Sequence, residues 1–155
     1  MPKGWPQEEA CSLHTQFKKE EKLKNGVPLM GDVKGLLDTV KAKGYTIAMA
    51  TSASAEDVEF NLNNAGIQHY FEAIISDEMI THGKPAPDVY LKTAQQLNLS
   101  PQECLVVEDS LNGVRAAFGA GTTVVMIPDK VQPTKEIKAM CNYILKSLDD
   151  LKEIV

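Results

Sequence analysis

Two adjacent carboxylates, Glu108 and Asp109, stand directly after the apolar run 104–107 and before Ser110. Side by side they repel each other unless a cation or a lysine offsets them. Hard oxygen ligands of this kind suit Mg²⁺, which commonly keeps several waters and takes only one or two carboxylates. Upstream, Gly83-Lys84-Pro85-Ala86-Pro87-Asp88 carries a lysine that the following proline restricts to an extended backbone. A lysine fixed in this way can neutralise a phosphate and stabilise the charge that develops in phosphoryl transfer. Thr51-Ser52, after the run 45–50, is a hydroxyl pair leading into a helix N-terminus whose free amides favour an anion. Each feature also has a plainer reading. Asp109 or Ser110 can cap a helix while Glu108 faces solvent, Lys84 can be a surface lysine, His82 a loop residue instead of a general base, and Thr51-Ser52 a simple turn.

What must position these groups is an α/β scaffold. From residue 32 onward, apolar β-rich runs at 45–50, 73–76, 104–107 and 123–127 alternate with helical patterns, which is the signature of a parallel sheet covered on both faces. Tyr143-Ile144-Leu145 adds a short edge strand. Asp32 is a plausible N-cap for a helix carrying Val33, Leu36, Leu37 and Val40 and ending at Gly44. Ser54 with Asp57 caps a second helix, which stops at Gly66. Pro87 suits the first turn of a third, carrying Val89, Tyr90, Leu91, Ala94 and Leu97, and Ser100-Pro101-Gln102-Glu103 forms a capping box before the strand at 104. After Asp109 a helix runs to Phe118, closed by Gly119 and Gly121, and a final one covers 148–154. In an open sheet of this kind ligands collect beyond the carboxyl ends of the strands. Three of the four runs end there in suitable chemistry.

The first 30 residues differ. Segment 7–24 is charged, weakly amphipathic through Ala10, Leu13 and Phe17, and reads as a helix followed by a linker at Asn25-Gly26. With 155 residues, 43% of them hydrophobic, the chain suffices for one core. A net charge of -5 argues against a nucleic-acid surface. Lys18, Lys19, Lys22 and Lys24, broken by Glu20 and Glu21, read as a solvated helix face. Three cysteines, Cys11, Cys104 and Cys141, have no metal-type spacing and fit a reducing cytoplasm, with Cys104 an inert buried thiol. No run approaches the length of a membrane helix.

Order and placement of the three sites resemble the haloacid dehalogenase superfamily, in particular its β-phosphoglucomutase-like and small-phosphatase branch. The resemblance rests on Ala48-Met49-Ala50-Thr51-Ser52-Ala53-Ser54, on Gly83-Lys84-Pro85-Ala86-Pro87-Asp88, and on Val107-Glu108-Asp109-Ser110-Leu111-Asn112-Gly113-Val114-Arg115-Ala116-Ala117. It covers roughly 27–155. It implies a Rossmann-like three-layer α/β/α core over 31–155, with a remnant cap helix and linker over 1–30. It further implies a Mg²⁺-dependent phosphatase or phosphomutase acting on a small phosphorylated, sugar-phosphate-like metabolite. Thr51 and the Ser52 amide match the phosphate-binding position, and Lys84 matches the lysine that orders nucleophile and phosphate. Glu108 and Asp109 match the metal-site acids, with Ser110 and Asn112 supporting them and Gly113 allowing close packing of the helix start on the sheet.

One departure weighs against turnover. Members of the superfamily begin with a strand ending in an Asp-x-Asp-Gly-Thr type segment that supplies the nucleophile, and this sequence has none. Asp32, in Met30-Gly31-Asp32-Val33, reads as a helix cap. The resemblance therefore implies a truncated core that lacks its first central strand, with little or no activity of its own. Two apolar sheet edges are left open to self-association or to a complementing N-terminal segment. A non-catalytic phosphate-binding or interaction protein built on the same fold is the competing expectation. Flavodoxin-like and receiver-like domains place their functional groups near the first strand, and nothing here favours them.

Overall fold

The computed structural model describes residues 10–13, 29 and 31–155. Six parallel strands make one sheet, β1 (Ala10–Leu13), β2 (Thr46–Thr51), β3 (Ala73–Ser76), β4 (Cys104–Glu108), β5 (Thr123–Met126) and β6 (Tyr143–Ile144), in the spatial order β3-β2-β1-β4-β5-β6. Helices α1 (Val33–Ala42), α2 (Ala55–Ala65), α3 (Asp88–Gln96), α4 (Leu111–Ala120), α5 (Lys135–Met140) and α6 (Leu148–Leu151) cover it.

Strand alternation divides the core into two layers, because successive side chains leave a strand on opposite faces. Ile47, Met49, Leu105 and Val107 pack with Leu36, Leu37, Val58, Leu62 and Leu151 of α1, α2 and α6. Ala50, Ile75, Val106, Val124 and Met126 pack with Val89, Tyr90, Val114, Ala117 and Ile137 of α3, α4 and α5. The expected three-layer α/β/α class is the observed one.

Helix signals act as local chemistry dictates. Asp32 accepts from Gly35 N at 3.0 Å, Ser54 from Asp57 N at 3.2 Å, and Ser110, not Asp109, from Gly113 N at 3.0 Å. Gly66 and Gly121 close α2 and α4 in the left-handed region, at φ 66° and 81°. Gly119, expected among the closing residues, lies inside α4, and α6 stops three residues short of the expected 154. Helix α5, capped by Thr134, was not anticipated.

Two expectations about the N-terminal region change. Residues 10–13 were expected to be helical, but they form a strand pairing in parallel with both β2 and β4. The gap expected between β2 and β4 is thereby filled, and neither edge stands open there. The physical reason is tertiary: a slot flanked by two strands offers a ladder of backbone partners that outweighs a weak helical pattern. The rest of segment 7–24, with its expected helix and linker, lies outside the described residues. What the central position lacks is a carboxylate, since β1 reads Ala-Cys-Ser-Leu.

Candidate active site

Glu108 organises the carboxyl end of β4. It is 1% exposed, and alternation along the strand turns its side chain towards the α3 and α4 face. Lys84 Nζ lies 2.6 Å from Oε1, with the lysine side chain itself only 6% exposed. The Tyr90 hydroxyl donates to the same oxygen. Oε2 accepts from Asp109 N at 3.2 Å, Ser110 N at 3.3 Å and Ser110 Oγ at 3.0 Å. Ser110 Oγ therefore donates to Glu108 while accepting from Gly113 N, joining the helix cap to the carboxylate.

Gly113 makes this possible. A Cβ at that position would lie 2.0 Å from Glu108 Cδ and Oε2 and 2.2 Å from Oε1, inside the space the carboxylate fills. The start of α4 can approach the strand end only without a side chain there. Taking two charges out of water costs several kcal/mol per ion, so a buried ion pair is weak evidence for stability alone.

Of the residues singled out from sequence, Lys84, Glu108, Asp109 and Ser110 come together. Asp109 is half-buried, with Oδ1 shielded from solvent. Thr51 ends β2, 3% exposed, and its Oγ1 accepts from Ala53 N at 3.1 Å. Ser52 is exposed. Ser12 of β1 is level with both Ala48 and Val106, so Thr51 and Glu108 finish on the same edge of the sheet. They stand two strand spacings apart, roughly 10 Å. Asn112 is exposed and accepts from Arg115 Nη1 at 3.3 Å. His82, 71% exposed, sits with Nδ1 3.0 Å from Asp88 Oδ2 and its backbone N 3.1 Å from the same oxygen, as a loop residue should. That contact holds the Asp88 carboxyl below its ordinary range. The Lys84–Pro85 peptide is cis.

Tyr90 escaped the sequence reading, which treated it as one more apolar residue of α3. A signal was there, since a tyrosine at a core position must find a partner for its hydroxyl. Burial, followed by the nearby Glu108 charge, drives its phenol well above the ordinary range, so it remains a donor.

Cation chemistry fits part of this set. The lone-pair sites of the Glu108 carboxylate, about four in all, are taken by lysine, phenol, hydroxyl and amide donors, which turns the residue towards Lys84. Asp109 is the neighbouring carboxylate at the edge. Among the described residues no group of three His, Cys, Asp or Glu side chains could hold a metal ion. A hard cation that keeps most of its waters is compatible with such a site. No helix of the described residues is long and apolar enough to cross a membrane.

Comparison with known proteins finds similar sequences and similar folds. The family model described as haloacid dehalogenase-like hydrolase matches residues 5–127. A probable pseudouridine-5'-phosphatase of Drosophila melanogaster is 35% identical over 160 residues, covering 98% of this chain and 66% of that protein. The bifunctional riboflavin kinase/FMN phosphatase of Arabidopsis thaliana is 31% identical over 118 residues, 76% of this chain and 31% of that one. The crystal structure of CbbY from Rhodobacter sphaeroides in complex with phosphate superposes with a TM-score of 0.75 at 30% identity, over 83% of this chain and 58% of that one. The chain thus spans between 31% and 66% of the length of these relatives.

Proposed function

Because the chain belongs to the haloacid dehalogenase-like hydrolase family, we propose that its sheet edge binds the phosphate of a small phosphorylated metabolite, in the manner of a phosphatase or phosphomutase. The observation that carries this is the Lys84 ammonium, held 2.6 Å from buried Glu108 beside Asp109 at the carboxyl end of β4. Thr51 with the Ser52 amide takes phosphoryl oxygens from the β2 side, and Lys84 takes them from the β4 side. The two strand ends lie roughly 10 Å apart, and the phosphate sits between them over the end of the intervening strand.

Asp109 is the carboxylate for Mg²⁺, and Glu108 contributes through water or through Lys84. When bound, the cation supplies charge neutralisation at the phosphoryl oxygens. The chain's own residues do the rest. Lys84 orients and neutralises the phosphate, Glu108 keeps Lys84 in place, and Ser110 keeps Glu108 in place. The complete reaction runs through an aspartyl-phosphate formed by an attacking aspartate. Neither β1 nor the residues that follow it, His14, Thr15 and Gln16, supply a carboxylate, so this chain turns over little or nothing.

That same absence favours a second reading, a non-catalytic phosphate-binding or interaction protein on this fold. Titration with inorganic phosphate and sugar phosphates, with and without Mg²⁺, is the test, alongside p-nitrophenyl phosphate turnover. Binding that weakens about tenfold in Lys84→Met, the worth of one charge-assisted hydrogen bond, is expected. Absence of phosphate binding sinks the site. Robust turnover that Asp109→Asn abolishes refutes the expected inactivity and the second reading together.

A further inference from the structure

Tyr90 touches both members of the buried ion pair. Its hydroxyl donates to Glu108 Oε1, and its ring lies beneath Lys84, with Nζ 5.1 Å from the ring centroid. The residue is 2% exposed and sits on α3 between Val89 and Leu91, packed with the layer of apolar side chains under the sheet. Packing alone does not explain the hydroxyl. A phenylalanine would fill nearly the same volume and present the same π face to the ammonium. What the phenol adds is a neutral donor, which occupies the second lone pair of Oε1 without competing with Lys84 for the carboxylate's charge.

We propose that Tyr90 is a positioning residue for Lys84, acting through Glu108: its hydroxyl pins Oε1, so the ammonium meets a carboxylate that cannot rotate. The other oxygen is pinned by Asp109 N, Ser110 N and Ser110 Oγ, at 3.2, 3.3 and 3.0 Å. Between them the phenol and the start of α4 fix the plane of the carboxylate. The plane in turn fixes the direction from which Lys84 can bond, and therefore where its remaining protons point. Burial and the Glu108 charge raise the phenol's pKa well above the ordinary range, so at neutral pH it stays a donor. The proposal takes from the preceding reading only that Lys84 is the group presented to ligand.

The test needs neither ligand nor turnover. Native-state acylation by a water-soluble N-hydroxysuccinimide ester, followed residue by residue with mass spectrometry, reports how firmly Lys84 is held, and exposed Lys130 is the internal control. In Tyr90→Phe the Lys84 rate is expected to rise about tenfold, the lower end for losing a hydrogen bond to a charged group, with Lys130 unchanged. Glu108→Gln is expected to raise it at least as far. The double variant is expected to go no further than Glu108→Gln, because a residue that acts through Glu108 has nothing left to act on. A wild-type Lys84 rate equal to that of Lys130, an unchanged rate in Tyr90→Phe, or additive effects in the double variant would each overturn the proposal. Should Glu108→Gln fail to fold, amide hydrogen exchange at Asp109 and Ser110 in Tyr90→Phe reads the same coupling. About tenfold faster exchange supports it, and unchanged rates refute it. Failure here leaves any phosphate binding by Thr51 and Lys84 untouched, and failure of phosphate binding leaves this clamp standing.

Discussion

Replacing Gly113 by alanine is the sharpest probe of the site, because it adds one methyl group where the structure has already put a carboxylate. The new Cβ lies 2.0 Å from Glu108 Cδ, whereas ordinary contact begins at 3.4 Å, so the carboxylate must retreat by about 1.4 Å (3.4 − 2.0). It has little freedom to do so. Retreat stretches the 2.6 Å contact to Lys84 and the 3.0 Å bond from Ser110 Oγ, and it pulls Oε1 from the Tyr90 hydroxyl. Overpacking costs about 1–3 kcal/mol, and fully breaking a buried ion pair costs about 3–5 kcal/mol. Alanine's better helix propensity returns up to about 1 kcal/mol. With the pair strained but not severed, a loss of about 2–4 kcal/mol follows, roughly 5–15 °C in Tm. Gly119→Ala, in the same helix, is the control. Its Cβ meets Pro87 at an ordinary 3.7 Å, so it is expected to be neutral or slightly stabilising. Thermal and urea unfolding of the two variants decide the matter. Equal stabilities would show that Glu108 is not locked, and the account of the site would fall with that result.

Further outcomes follow from the same geometry. Ser110→Ala removes both a helix cap and a donor to buried Glu108, so it is expected to cost about 2–4 kcal/mol in urea unfolding, whereas Ser54→Ala, a cap alone, costs about 1 kcal/mol. In a stability cycle, Lys84→Met and Glu108→Gln together should cost less than the sum of the single changes, since each alone strands a buried partner; additivity would deny the coupling. Tyr90 has a folded pKa well above 10.0. Its contribution to stability is therefore fully present below about pH 10 and is lost as pH rises through the folded value, with a slope of about 1.4 kcal/mol per pH unit. Alkaline denaturation of Tyr90→Phe should lack that one-proton slope, and identical alkaline profiles would contradict the buried phenol.

Much of the scaffold was legible because its signals are local. Asp32 and Ser54 announce helix starts through side-chain oxygens that accept from amides three residues on, and Gly66 announces a stop through its left-handed backbone. Apolar β-rich runs bounded by such signals located four strands almost residue for residue. The missed features are the non-local ones. Residues 10–13 carry a faint helical pattern, yet they pair with β2 and β4, whose ladders lie more than thirty residues away in sequence. Thr134 starts α5 with no more than a lone hydroxyl before a short helix.

At the site the division is similar. Lys84, Glu108 and Asp109 could be singled out because their types and their order at strand ends suit phosphate and a hard cation. Sequence alone left open whether Glu108 faced solvent, and Tyr90 passed as a core residue. Residue type determines which charges and donors the chain carries and roughly which strand ends bear them. Only the packing of α3 and α4 against β4 decided that the Glu108 carboxylate is buried, that Lys84 and Tyr90 share one of its oxygens, and that Gly113 leaves it room. The reason is desolvation: a buried charge must be paired, and which residues can pair it is set by distances across the fold, not by neighbours along the chain.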